Sequence, residues 1–378
     1  MDTIPLIYSK GADYITTLNL YRELLRQDEG NDYGFLCIDR RNSRVRCEEL
    51  FHKNRAVYRI SLPVRIVQWA WNNLGRPKLE SITGRTDLYH VSGIIAPPTA
   101  RAKVLVTVRG IVAEVIPDLL PRDRVKKLQK VLRDSMKRAD YYLAVSEQTK
   151  QDMINYFDVN PEYVHVVTHG VDPSFIHLRD RETLAARLQS QFRISRPYIL
   201  FVGAIGHHKN VMGILKAYNR VHAGGQGTHD LFLVGPPDSA SMDVRNFISK
   251  NSLDNFIHLT GGIPPRCQDM IDLYNGADCF VFPSFYEGWC SPPMEAMACG
   301  TPVIASNRSS IPETVGSAAL LVNPDDVNDI SEKIYSVLHD PELRNNLIQK
   351  GFARAKQLQW SDSARKMIEV YRKIEGEL

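Results

Sequence analysis

Between Cys279 and Ala305 the chain runs through a strand, a loop carrying one carboxylate, a short helix carrying a second, and the start of another strand. The run is Cys-Phe-Val-Phe-Pro-Ser-Phe-Tyr-Glu-Gly-Trp-Cys-Ser-Pro-Pro-Met-Glu-Ala-Met-Ala-Cys-Gly-Thr-Pro-Val-Ile-Ala. Cys279 to Phe282 is wholly apolar, as a doubly buried strand requires. Ser291 is placed to cap a helix, and Pro292 at the first helical position loses no hydrogen bond. Gly300 suits the left-handed residue that ends a helix, and Val303 opens the next strand. Glu287 and Glu295 therefore bracket the mouth of a βα turn, where open α/β sheets bind ligands. Either glutamate alone is usually a solvated loop charge or a partner of the helix dipole. Two acids, two prolines and several small residues in one turn weaken that plainer reading.

The rest of the chain repeats the alternation. Apolar runs at Ile4–Tyr8, Gly34–Ile38, Asp87–Val91, Lys103–Val108, Tyr141–Ser146 and Val164–Val167 are predicted strands, with amphipathic stretches between them. After a polar segment near 178–197 the pattern resumes at Tyr198–Val202, Leu231–Gly235, Phe256–Leu259, Cys279–Phe282, Val303–Ala305 and Ala319–Val322. Such alternation predicts an α/β protein with parallel sheets and helices on both faces. With 378 residues there is chain enough for two domains. The boundaries expected are 1–185, 186–360 and a closing helix at 361–378.

Three further stretches carry chemistry. Gly203-Ala204-Ile205-Gly206-His207-His208-Lys209-Asn210 follows a predicted strand, and Asn210 can cap a helix with Val211, Ile214, Leu215 and Tyr218 on one face. Unpaired N–H groups at a helix start beside an ammonium suit a diphosphate, although an ordinary helix start with a stray Lys has the same composition. Ser9-Lys10-Gly11-Ala12 is a second turn into a helix, where backbone N–H groups can meet an anion; a single glycine also fits a routine loop. The strand Lys103–Val108 delivers Arg109. An arginine stays charged and cannot act as a base, so Arg109 either binds a phosphate or an acidic acceptor, or is structural.

Composition narrows the function. Hydrophobic residues make up 43% and charged residues 24%, with net charge +4. These are globular values, and no basic cluster with interleaved aromatics points to nucleic acid. The six cysteines, Cys37, Cys47, Cys267, Cys279, Cys290 and Cys299, form no metal-ligand spacing. They read as buried thiols in a reducing compartment. No apolar run approaches the roughly 20 residues of a membrane helix, and the first residues lack the basic start of a signal peptide. A cytoplasmic protein is expected. Arg65–Leu74, with two tryptophans, reads as a core-covering helix, with a membrane-surface helix as the alternative.

The run from Glu287 to Ala305 closely resembles the E-x7-E signature of retaining glycosyltransferases of family 4, which have the GT-B fold. The Glu287–Glu295 spacing, the Glu287-Gly288 pair and Glu-Ala-Met-Ala-Cys-Gly-Thr-Pro-Val-Ile-Ala all match. The resemblance is strong over the second half of the chain and loose over the first. It implies two Rossmann-like domains facing across a cleft, with the closing helix returning to the first. It implies that Glu295 accepts hydrogen bonds from the ribose of a nucleotide-sugar. Glu287 would meet hydroxyls of the donor sugar, helped by backbone N–H groups near Gly288, Cys290 and Ser291. Gly203, His208, Lys209 and Asn210 would hold the donor phosphates, with Lys209 countering charge on the leaving diphosphate, and Gly11 would lie against those phosphates. Ile263 belongs to a loop whose backbone meets the nucleobase. The sequence departs from the family at Thr107-Val108-Arg109-Gly110, where members usually carry His-Asp. Arg109 then stands in the catalytic position of that histidine.

The expected activity is retaining transfer of a sugar from a nucleotide-sugar to a hydroxyl of a saccharide or lipid-linked acceptor, in polysaccharide or glycoconjugate synthesis. No metal or other cofactor is expected. Peripheral contact with the inner face of a membrane through the first domain stays open. The alternatives are a nucleotide-sugar epimerase or hydrolase, or a non-catalytic sugar-nucleotide-binding subunit, both motivated by Arg109.

Overall fold

The computed structural model describes residues 1–9, 11–39, 56–93, 95–222 and 228–377. Lys10 and Cys47, both singled out in the sequence, lie outside the described residues. The chain divides into two compact units. One comprises Met1–Glu114, Asp123–Gly170 and Trp360–Leu378; the other comprises Val115–Arg122 and Val171–Gln359. The passage into the second unit thus comes at Val171. The sequence-based boundary at 185/186 falls inside the helix Arg181–Phe192.

In the first unit the strands are β1 (Gly34–Ile38), β2 (Ala56–Ile60), β3 (Leu88–Val91), β4 (Lys103–Val108), β5 (Tyr141–Ala144) and β6 (Val164–Val166). β1 and β2 pair in parallel, and β3-β4-β5-β6 form a parallel four-stranded sheet. Leu18, Tyr21 and Leu24 of helix Ala12–Gln27 share one core with Phe35, Leu105 and Leu143. Trp360, Met367 and Tyr371 of the last helix, Trp360–Glu375, complete it. That helix is amphipathic because every third or fourth residue must face this core.

Two elements differ from expectation. Ile4–Tyr8 is a single helical turn, not a strand. The Asp2 carboxylate accepts the Ile4 N–H at 2.8 Å and Pro5 stands in the first turn, so a local turn overrides the apolar run. The strand Ala56–Ile60 was not foreseen, because it is partly exposed and lacks a continuous apolar run.

The second unit holds β7 (Tyr198–Val202), β8 (Asp230–Val234), β9 (Ile257–Gly261), β10 (Cys279–Phe282), β11 (Val303–Ser306) and β12 (Ala319–Val322). Their spatial order is β12-β11-β10-β7-β8-β9, and every neighbouring pair is parallel. This is the doubly wound Rossmann order, in which the chain starts in the middle and winds first one way and then the other. Phe201, Phe280 and Phe282 are fully buried and stack within the central strands. The reversal lies between β7 and β10, so the loops leaving these two strands open the crevice where such sheets take ligands.

Candidate active site

The loop after β7 turns through a short 3-10 helix, His207–Lys209, into helix Val211–Val221. Asn210 sits at φ 54°, a left-handed conformation that asparagine tolerates. Its Oδ1 caps the helix by accepting the Gly213 N–H at 3.2 Å, and its Nδ2 donates to Pro324 O at 2.6 Å. The loops along this edge of the sheet are stitched by main-chain bonds. Gly203 N–H donates to Val234 O, Ile205 N–H to Pro236 O and Gly235 N–H to Gly261 O, all within 2.8–3.0 Å. A Cβ on Gly235 would stand 1.8 Å from Gly203 O, so the two loops meet only because Gly235 has no side chain.

The loop after β10 is tied to this turn. Phe285 N–H donates to His208 O at 2.9 Å. Glu287 follows, and its main chain is clamped from the loop after β11. Ser309 Oγ and Ser310 Oγ donate to Glu287 O at 2.6 and 2.8 Å, while Glu287 N–H donates to Ser309 Oγ at 3.2 Å. The result brings Lys209 Nζ within 2.5 Å of Glu287 Oε1, with 17% and 12% of the two side chains exposed. Lys209 Nζ also lies 5.4 Å above the Phe282 ring.

Gly288 and Cys290 are buried, and burial pushes the Cys290 thiol up to about 12, which keeps it unreactive. Cys290, not Ser291, occupies the N-cap position, so helix Ser291–Cys299 begins without a side-chain cap. Pro292 and Pro293 carry no N–H, so this helix start offers few donors of its own. Gly300 ends the helix at φ 82°, as the sequence predicts. Glu295 lies on this helix and accepts the Tyr274 hydroxyl at 2.8 Å. Desolvation raises the Glu295 carboxyl to about 7; the Tyr274 bond opposes the rise and the nearby Asp172 adds to it. Asp172 in turn pairs with Arg266, from the loop that also carries Ile263. Ile263 is partly buried against the core.

The remaining sequence candidates belong to the first unit. Gly11 heads helix Ala12–Gln27, is exposed, and has no atom within 4 Å of where a Cβ would stand. Arg109 lines a cavity of about 490 Å³ whose walls include Ile4, Ile111, Val112, Leu128 and Gln129. Its Nη1 donates to Asp13 Oδ1 at 3.0 Å and to Thr16 Oγ1 at 2.5 Å, and its Nη2 donates to Thr17 Oγ1 at 2.6 Å. The guanidinium therefore ties the end of β4 to helix Ala12–Gln27. Behind it His90 bridges Thr107 Oγ1 and Tyr371 Oη at 2.7 Å each. Burial and the Arg109 charge lower His90 and His169 to about 3, so both rings are neutral at physiological pH.

Two family models match the chain: "Glycosyl transferases group 1" over residues 183–354 and "Glycosyltransferase Family 4" over residues 15–175. The O-antigen chain mannosyltransferase B of Escherichia coli is 30% identical over 285 residues, covering 75% of this chain and 74% of that protein.

The chain belongs to the group 1 glycosyltransferases.

The serotype-specific mannosyltransferase WbdA of Escherichia coli is 28% identical over 63% of this glycosyltransferase, which spans only 29% of that longer protein. Among solved structures, a sucrose-phosphate synthase from Thermosynechococcus elongatus superposes with a TM-score of 0.75 at 20% identity, covering 97% of this chain and 94% of that one. Anabaena HepE in complex with UDP and glucose gives 0.72 at 16% identity, covering 96% of each chain. These likenesses establish the GT-B fold, with two Rossmann-like domains.

In this hexosyltransferase the second unit gathers Gly203, His208, Lys209, Asn210, Glu287, Gly288, Cys290, Ser291 and Glu295 around the strand reversal. Gly11 and Arg109 belong to the other unit. Residues that no motif announced complete the arrangement: Ser309 and Ser310 hold the Glu287 main chain, and Tyr274 holds the Glu295 carboxylate. Their signal in sequence is slight, because a Ser pair or a Tyr at helical spacing reads as an ordinary turn or core residue. Among the described residues no cluster of three or more His, Cys, Asp or Glu side chains could hold a metal. No helix among them is long and apolar enough to cross a membrane.

Proposed function

We propose that the chain is a retaining mannosyltransferase that moves a sugar from a nucleotide-sugar to a hydroxyl of a growing polysaccharide or lipid-linked glycan. The observation that carries this is the meeting of Lys209 and Glu287 at the reversal between β7 and β10. A diphosphate needs a cation and main-chain donors, and a sugar needs a carboxylate beside it; this place offers both. The mannosyl assignment is supported by the O-antigen and WbdA relatives, and the glycan class by the same names.

In this reading Lys209 leaves Glu287 for the diphosphate when the donor enters. Glu287 is then available to hydroxyls of the sugar, and Glu295 to those of the ribose. As the glycosidic bond to phosphate breaks, Lys209 stabilises the charge on the departing oxygen, a contribution of roughly 3–4 kcal/mol for a well-aimed donor. The acceptor hydroxyl attacks from the face the diphosphate leaves, and a departing phosphate oxygen takes its proton. No protein nucleophile is used, the anomeric configuration is kept, and no metal takes part. Arg109 orients the helix that carries Gly11 through Asp13, Thr16 and Thr17.

The test is a thermal-shift panel of nucleoside diphosphates and their sugars, followed by NMR of products formed with oligosaccharide acceptors. A ligand at a hundred times its dissociation constant should stabilise by about 2.7 kcal/mol. Donor consumption without an acceptor would indicate an epimerase or hydrolase, and binding without turnover a non-catalytic subunit.

We also propose contact with a lipid surface through helix Val64–Leu74. Val67 and Trp71 of this helix are buried, whereas Ile66, Trp69 and Leu74 are 51%, 58% and 60% exposed. Arg65, Arg76 and Lys78 are exposed in the same stretch, which suits an anionic surface. Co-sedimentation with phosphatidylglycerol vesicles, reduced in Trp69→Glu, is the check.

A further inference from the structure

Tyr274 is fully buried on helix Gln268–Gly276, yet its hydroxyl is the group that meets Glu295. Its ring packs edge-on to Phe175 and tilted against Phe280, with centroids at 5.5 and 5.7 Å. Its carbonyl accepts the Thr301 hydroxyl. A side chain pinned at the ring and at the main chain has its hydroxyl aimed by the fold rather than by the ligand. That precision is more than a core residue needs, since a Phe would fill the same space.

We propose that Tyr274 is a positioning residue for donor binding: it holds Oε2 of Glu295 and leaves Oε1 to receive hydroxyl groups of the nucleotide-sugar. This rests on the reading of Glu295 as a donor ligand given above. The charged and titratable groups that face Glu295 are Tyr274, Asp172 with its partner Arg266, and Cys299 one turn along the same helix. Asp172 disfavours the ionised carboxylate, and Arg266 pairs with Asp172. The Tyr274 hydroxyl favours the ionised form, because a hydrogen bond donated to a carboxylate stabilises its charge. Desolvation raises the Glu295 carboxyl to about 7 and the Tyr274 bond opposes that rise, so losing the bond leaves less of it ionised to accept from a donor at neutral pH.

The experiment measures donor KM and kcat from pH 5.5 to 9 for the full chain, with GDP-mannose as the probe. Wild type should show donor affinity rising with pH along a limb centred near 7. Tyr274→Phe removes the bond, so the limb moves to higher pH. The donor KM rises roughly tenfold at pH 7, as expected for losing a hydrogen bond to a charged group, and recovers toward pH 9 with kcat little changed. In a Glu295→Gln background the limb is absent and Tyr274→Phe adds no further loss. Should Tyr274→Phe fail to fold, 3,5-difluorotyrosine at 274 is a stronger donor of nearly equal size, and it should move the limb the opposite way. A limb unchanged in either variant, or an equal loss at every pH, overturns the proposal. A wild-type protein that binds neither GDP-mannose nor any other nucleotide-sugar overturns the donor reading itself, and that result is distinguishable because wild type then gives no signal at all.

Discussion

Lys209 and Glu287 are joined by a 2.5 Å ion pair, although they lie 78 residues apart in the chain. The pair is mostly shielded from water, so each charge depends on the other. In the proposed reaction a diphosphate entering here would exchange one anion for another at Lys209 and release a carboxylate toward the sugar. Lys209→Ala is therefore expected to lower turnover at least roughly a hundredfold, the size of one lost charge-stabilising group. Steady-state release of nucleoside diphosphate reads this directly; turnover equal to wild type would remove Lys209 from the diphosphate site.

Asn210 supports the same turn structurally. Asn210→Ala deletes a helix cap, strands the Pro324 carbonyl and places alanine at positive φ. Its expected cost is about 2–3 kcal/mol in urea unfolding. A loss under about 0.5 kcal/mol would show that the cap is dispensable.

The glycines separate packing from ligand contact. Gly235→Ala drives a Cβ into Gly203 O and should destabilise by about 3 kcal/mol while weakening nucleotide affinity. Gly11→Ala meets nothing and should leave stability within about 0.5 kcal/mol. Lower activity in this variant with unchanged stability would show that the main chain at Gly11 approaches the donor phosphates. Unchanged activity would remove it from the site.

Acid should destabilise the first unit through its histidines. His90 and His169 sit near 3 in the folded chain and near 6.5 when unfolded. The unfolded chain thus binds more protons below about 6.5, and stability falls as pH drops from there toward 3. His169 stacks on Trp360 at 5.4 Å, so His169→Phe keeps the stacking and removes a titrating group. Urea titrations between pH 7.5 and 5 should show a shallower slope for this variant, and an identical slope would contradict the assignment.

Chelation addresses the absence of a metal from the proposed reaction. Activity after dialysis against EDTA is expected to equal that of the untreated enzyme, and loss restored by a divalent cation would require a metal in the mechanism.

Much of the second unit is legible in the sequence. Its strands are short apolar runs, a helix starts at Asn210 with a recognisable cap, and Gly300 stops a helix where a left-handed residue serves. Ile4–Tyr8 reads as a strand in the sequence but forms a helical turn, because the Asp2 turn to Ile4 N–H and Pro5 outweigh an apolar run only five residues long. Cys290 took the cap position expected of Ser291, because the prolines that follow shift the helix start.

The order of residues carries the local grammar: parallel α/β architecture, the Glu287–Glu295 spacing, and the cationic turn at Lys209. Periodicity, caps and helix stops act over a few residues, so they survive in the order of the letters. The partner of each charge comes from the folded arrangement. Lys209 pairs with Glu287, Arg109 is taken up by Asp13, Thr16 and Thr17, and Tyr274 rather than a motif residue holds Glu295. Those pairings join residues tens of positions apart, and they exist because strand order brings distant loops to one edge of a sheet, which no spacing along the chain encodes.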